Sequence, residues 1–162
     1  MNKDNIYNLI KEKGIWHEIE EHEAVFNMKD LEAVKVKYPE YDAKNLFVRD
    51  DKKKEYYLIT VKGDKRVDLN KFKEEHKTRR LSFASPNDLE SIMNLIPGAV
   101  SPLGLLNDNE LKVKFYIDNA FLKNKKIIGI HPNDNTATLW LKTEDLIEII
   151  KEHGNEINII KI

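Results

Sequence analysis

The stretch Asn45-Leu46-Phe47-Val48-Arg49-Asp50-Asp51-Lys52-Lys53-Lys54-Glu55-Tyr56-Tyr57-Leu58-Ile59-Thr60-Val61 decides the fold class. Two runs rich in aromatic and branched residues, 45–49 and 56–61, flank the polar segment 50–54. A segment that short and that charged cannot carry a crossover, so the two runs read as a β-hairpin. Working toward the N-terminus, Met28, Leu31 and Val34 fall at helical spacing within 28–37, before Pro39. Residues 16–20 read as a strand, with Ile15, His17 and Ile19 on one side. Ile6, Leu9 and Ile10 share a helical face that Lys13-Gly14 stops.

Toward the C-terminus, Asp68 caps a predicted helix with Leu69, Phe72 and His76 inside, and 80–83 is a short strand. Ser85-Pro86-Asn87-Asp88 is a helix start: a capping hydroxyl, proline in the first turn, then an early acid. Leu89, Ile92, Met93 and Ile96 supply its inner face, and Pro97-Gly98 ends it. A strand is predicted over 111–117, and a second pair over 127–130 and 136–141 around the turn Pro132-Asn133-Asp134-Asn135. Thr143 caps a last helix with Leu146, Ile149 and Ile150 inside; Gly154 stops it, and 157–162 closes the chain as a strand. Strands that arrive mostly as hairpins, with helices between the groups, predict an α+β fold built on a mixed, largely antiparallel sheet with flanking helices.

Composition bounds the rest. The chain has 162 residues, 27 Lys plus Arg, 28 Asp plus Glu, and no cysteine. That length predicts one domain over residues 1–162, large enough to bury about 70% of its unfolded surface without metal or disulfide. Without cysteine there are no disulfides, thiolate metal sites or thiol nucleophiles. The apolar runs are too short to span a bilayer, and Met1-Asn2-Lys3-Asp4 is not the start of a signal peptide, so a cytoplasmic location is expected. A formal charge of −1 excludes a strongly basic nucleic-acid-binding domain and leaves only a local patch for such a partner.

Three constellations carry candidate chemistry. Lys44-Asn45 stands where a strand begins, a place ligands often use, though a solvated lysine beside a turn-forming asparagine fits the residue types as well. The loop Pro97-Gly98-Ala99-Val100-Ser101-Pro102-Leu103-Gly104 has two prolines and two glycines to fix an irregular backbone. It can aim carbonyls and amides at a ligand, or merely connect helix to strand. It is neither a nucleophile elbow nor a phosphate loop. His131 follows an apolar strand and precedes Pro132, where it binds a substrate or ties down the turn. His17, His22, His76 and His153 show no metal-ligand spacing, and no pair of acids can be assigned to acid–base work. The groups 52–54, 62–66, Arg79-Arg80 and 123–126 are candidate parts of an electropositive patch. Read from residue types alone, the chain offers a pocket-forming loop and polar strand ends without a reaction.

Six segments in order carry a resemblance: 21–26, 44–50, 63–68, 81–85, 97–105 and 130–139. Together they resemble the trans-acting prolyl-tRNA editing proteins of the YbaK/ProX superfamily, relatives of the insertion domain of bacterial prolyl-tRNA synthetase. The similarity is greatest to the alanyl-tRNA(Pro) deacylase branch and spans nearly the whole chain. One departure is Glu23, where many members carry proline after the histidine.

The resemblance implies hydrolysis of the ester joining a wrong amino acid to the terminal ribose of tRNA(Pro). Lys44 then matches the family lysine that engages the substrate near the terminal phosphate or the aminoacyl group, supported by Asn45. Gly98, Ala99, Val100, Ser101, Pro102 and Gly104 match the loop that receives the α-amino group and shapes the alanine pocket, and His131 matches the histidine that orients the terminal adenosine or a water. Members use no dedicated nucleophile; a ribose hydroxyl of the substrate and a positioned water carry the reaction. No metal or cofactor is implied. The implied partners are the acceptor end of mischarged tRNA(Pro), with prolyl-tRNA synthetase as a second, and no membrane. Lys123, Lys125, Lys126, Arg79 and Arg80 become expected tRNA contacts. Two alternatives stand beside this reading: the cysteinyl-tRNA(Pro) deacylase activity of YbaK-type members, and a non-catalytic tRNA-binding module.

Overall fold

The computed structural model describes residues 1–27, 29–30 and 35–162. Met28, Leu31 and Val34, on which the expected helix over 28–37 rests, lie outside the described residues. The elements are α1 (Lys3–Glu12), β1 (His17–Glu21), β2 (Ala43–Asp50), β3 (Tyr56–Lys62), α2 (Leu69–His76), β4 (Leu81–Phe83), α3 (Pro86–Met93), β5 (Val113–Asp118), β6 (Ile127–Ile130), β7 (Ala137–Lys142), α4 (Thr143–His153) and β8 (Ile157–Ile160). Short 3-10 turns occupy Pro39–Tyr41, Pro102–Asn107 and Asn119–Leu122. No helix among the described residues is long and apolar enough to cross a membrane.

The strands form two sheets rather than the single sheet expected. One is antiparallel, in the order β1-β7-β6; the other is mixed, in the order β4-β2-β3-β5-β8. The β2–β3 hairpin is antiparallel, with Phe47 opposite Leu58, while β5 lies parallel to β3 and β8 parallel to β5. The hairpin's near-continuous apolar sequence follows from burial on both faces. Phe47 and Leu58 join Phe115, Ile117 and residues of α1, α3, α4, β6 and β7 in the main core. Leu46, Val48, Tyr57 and Ile59 face the other way, under Phe72 of α2. A period of two along the strands sorts the two sets.

Several element ends differ from the sequence expectation, each for a local reason. Helix α3 ends at Asn94, whose left-handed backbone (φ 51°) donates its N–H to the Glu90 carbonyl, so Ile96 is left exposed and Pro97-Gly98 lies beyond the helix. Strand β5 begins at Val113, not 111, because the Asp108 carboxylate accepts the N–H groups of Lys112 and Val113 and turns the chain there. Thr143 is the first helical residue of α4 rather than its cap; its buried hydroxyl donates to the Phe121 carbonyl at 2.7 Å. Asp68, Ser85 and Gly154 cap as expected.

Two features of this topology position the site. Strand β4 pairs only with Val48–Asp50, so among the described residues the N-terminal half of β2 has no strand on that side. Among the described residues the two sheets are joined by a single parallel bridge, Asp42 to Gly129, just before β2 begins. Gly129 permits it: a Cβ there would lie 2.8 Å from Asp42 Oδ1.

Asp42 is 4% exposed. Burial, and to a lesser degree the charge of Glu20, raises its carboxyl from 3.8 to about 7. Between those values the folded protein keeps a proton that the unfolded chain has released, so stability falls as pH rises from about 4 to about 7. Asp42→Asn should remove this loss and melt above the wild type at about pH 8, by on the order of a few kcal/mol, while matching it at about pH 4. Parallel melting profiles of the two proteins across that range would disprove the assignment.

Candidate functional site

A cavity of about 520 Å³ opens over the half of β2 that pairs with β3 but is left uncovered by β4. Four segments wall it. The start of β2 supplies Lys44, Asn45 and Leu46; the segment after β1 supplies Val25 and Phe26; the loop after α3 supplies Gly98 and Val100; the end of β6 supplies His131. Arg66 and Val67, after β3, and Phe83, at the end of β4, complete the rim. Lys44, the glycine loop and His131 are thus brought together from positions far apart in sequence.

Each polar group is held. Lys44 is half-buried, not the exposed strand-end lysine its sequence suggests, and its Nζ donates to the Lys65 carbonyl. Asn45 Oδ1 accepts from the buried Thr60 hydroxyl at 2.6 Å, and Asn45 Nδ2 reaches the Val100 carbonyl at 3.4 Å. Asn45 therefore ties β2 to the glycine loop. His131 Nδ1 lies 2.9 Å from the Ala137 carbonyl, which can only accept, so Nδ1 carries the proton. Nε2 then presents a lone pair, with no partner for it among the described residues. Burial is the main cause that lowers the His131 pKa from 6.5, partly opposed by the Ala137 bond. The ring is accordingly neutral at neutral pH. It meets His22 edge-on, at 6.4 Å between centroids.

The glycine loop alternates. Ile96 accepts from Ala99 N–H across a tight turn at Pro97-Gly98, where Gly98 has φ +92°. Gly98 and Val100 line the cavity, while Ala99 and Ser101, the latter with an extended backbone, are buried. Ser101 Oγ accepts from Leu103 N–H at 3.2 Å, and Pro102 and Gly104 are buried in the turn that follows. Ala99, Ser101, Pro102 and Gly104, expected against the substrate, are not cavity-lining; they buttress the two residues that are.

The basic groups separate in the same way. Arg79 makes a two-point pair with Asp51, and Arg80 precedes Leu81, which pairs with Asp50; both lie at the far end of β2 from Lys44. Exposed Lys123, Lys125 and Lys126 precede β6, at the opposite end from His131, with Lys125 over the Tyr38 ring. None of the five reaches the cavity. Arg66 does, a residue that sequence grouping left undistinguished among its basic neighbours. Lys65 beside it is locked onto Asp118 at 2.5 Å, and Lys62 lies over the Tyr41 ring. Phe26, Val67 and Phe83 were also missed as site residues; an apolar residue near a cavity has the same sequence signature as one in the core. Among the described residues no three His, Asp or Glu side chains are grouped as metal ligands.

The lining contains no serine, threonine or carboxylate among the described residues. What it offers is two cations, Lys44 and Arg66, one neutral imidazole acceptor, the amides of Asn27 and Asn45, and backbone groups around an apolar hollow. Such a site favours a labile bond whose substrate brings its own reactive groups.

His131→Ala should lower turnover about tenfold, less than the roughly 10²–10⁴-fold of a full proton-transfer group, because the histidine orients a hydrogen bond rather than carrying the proton. It should also cost about 1–3 kcal/mol by orphaning the Ala137 carbonyl. In the wild type the histidine's acid transition should fall below 6.5, because the folded state resists protonation, and stability should drop as pH falls through that window. A pH–rate profile breaking at or above 6.5 would contradict the assigned neutral tautomer.

Comparison with known proteins identifies the family. Residues 22–149 match the family model described as the aminoacyl-tRNA editing domain. The chain is 34% identical over 160 residues to the prolyl-tRNA editing protein ProX of Acetoanaerobium sticklandii, covering 99% of this chain and 97% of that one. It is 32% identical over 142 residues to prolyl-tRNA synthetase associated domain-containing protein 1 of Mus musculus, covering 86% and 83%. A crystal structure assigned provisionally as a trans-editing enzyme for prolyl tRNA synthetase superposes with a TM-score of 0.69 at 19% identity, over 99% of this chain and 96% of that one, and shares its fold. The chain belongs to the aminoacyl-tRNA editing domain family, hydrolases of aminoacyl-tRNA esters.

Proposed function

We propose that the protein removes alanine from mischarged tRNA(Pro) in trans. The observation that carries this reading is the convergence of Lys44, the Asn45-tethered Gly98–Val100 loop and His131 on one cavity that has no serine, threonine or carboxylate among its described lining. The similarity to a prolyl-tRNA editing protein over nearly the full length of both chains supports the tRNA assigned. Alanine is smaller than proline, and an apolar synthetic pocket rejects a smaller ligand by only about 1–3 kcal/mol, so a second sieve is needed. Here the sieve is the apolar hollow beside Gly98 and Val100, admitting a methyl group and excluding the pyrrolidine ring.

In the step proposed, a water oxygen bonds to the ester carbonyl carbon and the bond to the ribose 3′ oxygen breaks. That oxygen takes up a proton; alanine leaves as the carboxylate, with one proton released to solvent. Lys44 offsets the charge that develops on the carbonyl oxygen or the adjoining phosphate. His131 Nε2 accepts a hydrogen bond from the neighbouring ribose hydroxyl or the attacking water, fixing its direction. The acceptor end of tRNA(Pro) is the partner, and prolyl-tRNA synthetase, which supplies the mischarged product, is a second.

The test is deacylation of tRNA(Pro) charged separately with alanine, cysteine and proline, at low salt. Rapid loss of alanine with proline spared is the expected result. Preferential loss of cysteine would reassign the substrate, and tRNA binding without any hydrolysis would retire the catalytic roles.

A further inference from the structure

Two phenylalanines at the cavity mouth are the most exposed large apolar side chains of the described protein: Phe26 at 63% and Phe83 at 64%. Neither is loose. Val25, the residue before Phe26, is 3% exposed and is bound to Asn135 twice, Val25 N–H to its carbonyl at 3.1 Å and Val25 carbonyl from its Nδ2 at 2.9 Å. Phe26 N–H donates to Asp30, and the Phe26 backbone rests against Gly98, where a Cβ would stand 3.3 Å from Phe26 Cα and 3.0 Å from its ring. Phe83 sits on β4 opposite Val48, and Ala84 N–H is fixed to the Phe47 carbonyl. Leu81, on the same face of β4, is buried, so alternation alone would have turned Phe83 inward. Both rings are anchored at their base with their faces in solvent, and both border the cavity that holds Lys44 and His131. Arg66 stands on the same rim, with no carboxylate in ion-pair range among the described residues.

We infer that Phe26, Phe83 and Arg66 form a clamp for the terminal nucleotide of the RNA, the phenylalanines stacking its base and Arg66 holding its 5′ phosphate. Stacking on an aromatic ring is the mode that serves single-stranded ends, whose bases are free of the helix. The placement suits it, because a base stacked at the mouth puts its own ribose, and the ester on it, at the entrance to the hollow. The clamp also accounts for binding by a protein with no net positive charge: part of the affinity comes from stacking, and a single guanidinium serves one phosphate. It rests on the proposed deacylase reading and adds to it the residues that grip the substrate's end.

The test uses the full chain and an acceptor-stem microhelix ending in 3′-alanylamino-3′-deoxyadenosine, an amide that resists hydrolysis, beside the same RNA lacking its terminal base. Phe26→Ala and Phe83→Ala should each weaken binding of the base-bearing RNA about tenfold, with Phe83→Tyr restoring it, and leave the base-free RNA bound as by wild type. Arg66→Gln should weaken both RNAs alike and flatten the salt dependence. Equal losses on both RNAs in the phenylalanine variants, or none on either, would overturn the clamp. If the wild type deacylates alanyl-tRNA(Pro) while those variants keep full affinity, the clamp fails and the deacylase reading stands. If the wild type hydrolyses no ester but binds the adenine-ended RNA through Phe26 and Phe83, the clamp stands and the deacylase reading fails.

Discussion

Lys44→Ala should lower kcat/KM for alanyl-tRNA(Pro) on the order of 10²–10³-fold, the loss typical when one preorganised charge donor is removed from a reaction centre. Lys44 is the cavity's only cation on the β2 wall, and the lining has no carboxylate among the described residues to compete for it. Its one bond, to the Lys65 carbonyl, sets the direction of the amine from within the chain, so the ammonium is in place before substrate arrives. Losing that bond should cost no more than about 1 kcal/mol of stability, because the Lys65 carbonyl is only half-buried and water can replace the amine. Lys44→Arg should not restore turnover, since a planar fork cannot occupy the position of a compact ammonium. Near-normal turnover in a folded Lys44→Ala protein would remove this residue from the mechanism.

The largest loss of stability is expected from Gly129→Ala. A methyl group there would lie 2.4 and 2.7 Å from the ring of Trp140 and 2.8 Å from the Asp42 carboxyl. Trp140 has no accessible surface, packs edge-on against Tyr38 at 5.1 Å, and donates its Nε1–H to Glu20 at 3.0 Å. A large, fully buried ring held by Tyr38 and Glu20 cannot give way, so the backbone must, and the cost should reach about 3 kcal/mol, the upper end for overpacking. For a domain of this size, that is a fall in melting temperature of roughly 6–12 °C. Gly104→Ala is the contrasting case: its methyl would meet Leu95 Cδ1 at 2.5 Å and Met93 Cε at 2.8 Å, the ends of flexible chains that can rotate away. It should be the milder of the two. Because Asp42 adjoins Ala43-Lys44, the Gly129 substitution should also reduce deacylation below the melting range, by shifting the β2 wall against His131. Thermal melts of both variants with activity measured at low temperature check this; an unchanged melting point for Gly129→Ala would show that the bridge is not tight.

The two variants separate chemistry from placement. In the proposed mechanism Lys44 acts through its charge on the substrate, and Gly129 through the distance between two walls. Asn45 belongs with Gly129 in this respect, since its amide is spent on Thr60 and the Val100 carbonyl. The sequence alone pointed to Asn45 as a companion of Lys44; its contacts instead join the strand to the loop that shapes the hollow.

Much of the fold is written in local pattern. The 45–61 hairpin, the caps at Asp68 and Ser85, and the Gly154 stop depend on neighbouring residues only, and the structure has them where the sequence puts them. The six ordered segments that include Lys44, Gly98 and His131 resemble those of editing domains, and the family match over residues 22–149 agrees, whereas the residue types by themselves specify no reaction. What the sequence could not decide depends on long-range geometry. Whether the strands make one sheet or two rests on the parallel pairing of β3, β5 and β8 and on one bridge at Gly129, contacts between residues far apart in the chain. Of the loop 98–104, only Gly98 and Val100 line the cavity, because the turn at Gly98 sets which of the residues after it face the hollow and which are buried. Among the basic residues, Arg66 borders the cavity while Lys65 is occupied by Asp118, although both are charged side chains in one loop. Exposed Phe26 and Phe83 have the sequence signature of core residues. Burial is a property of what the rest of the chain brings alongside, so only the tertiary structure assigns a phenylalanine to a core or to a binding surface.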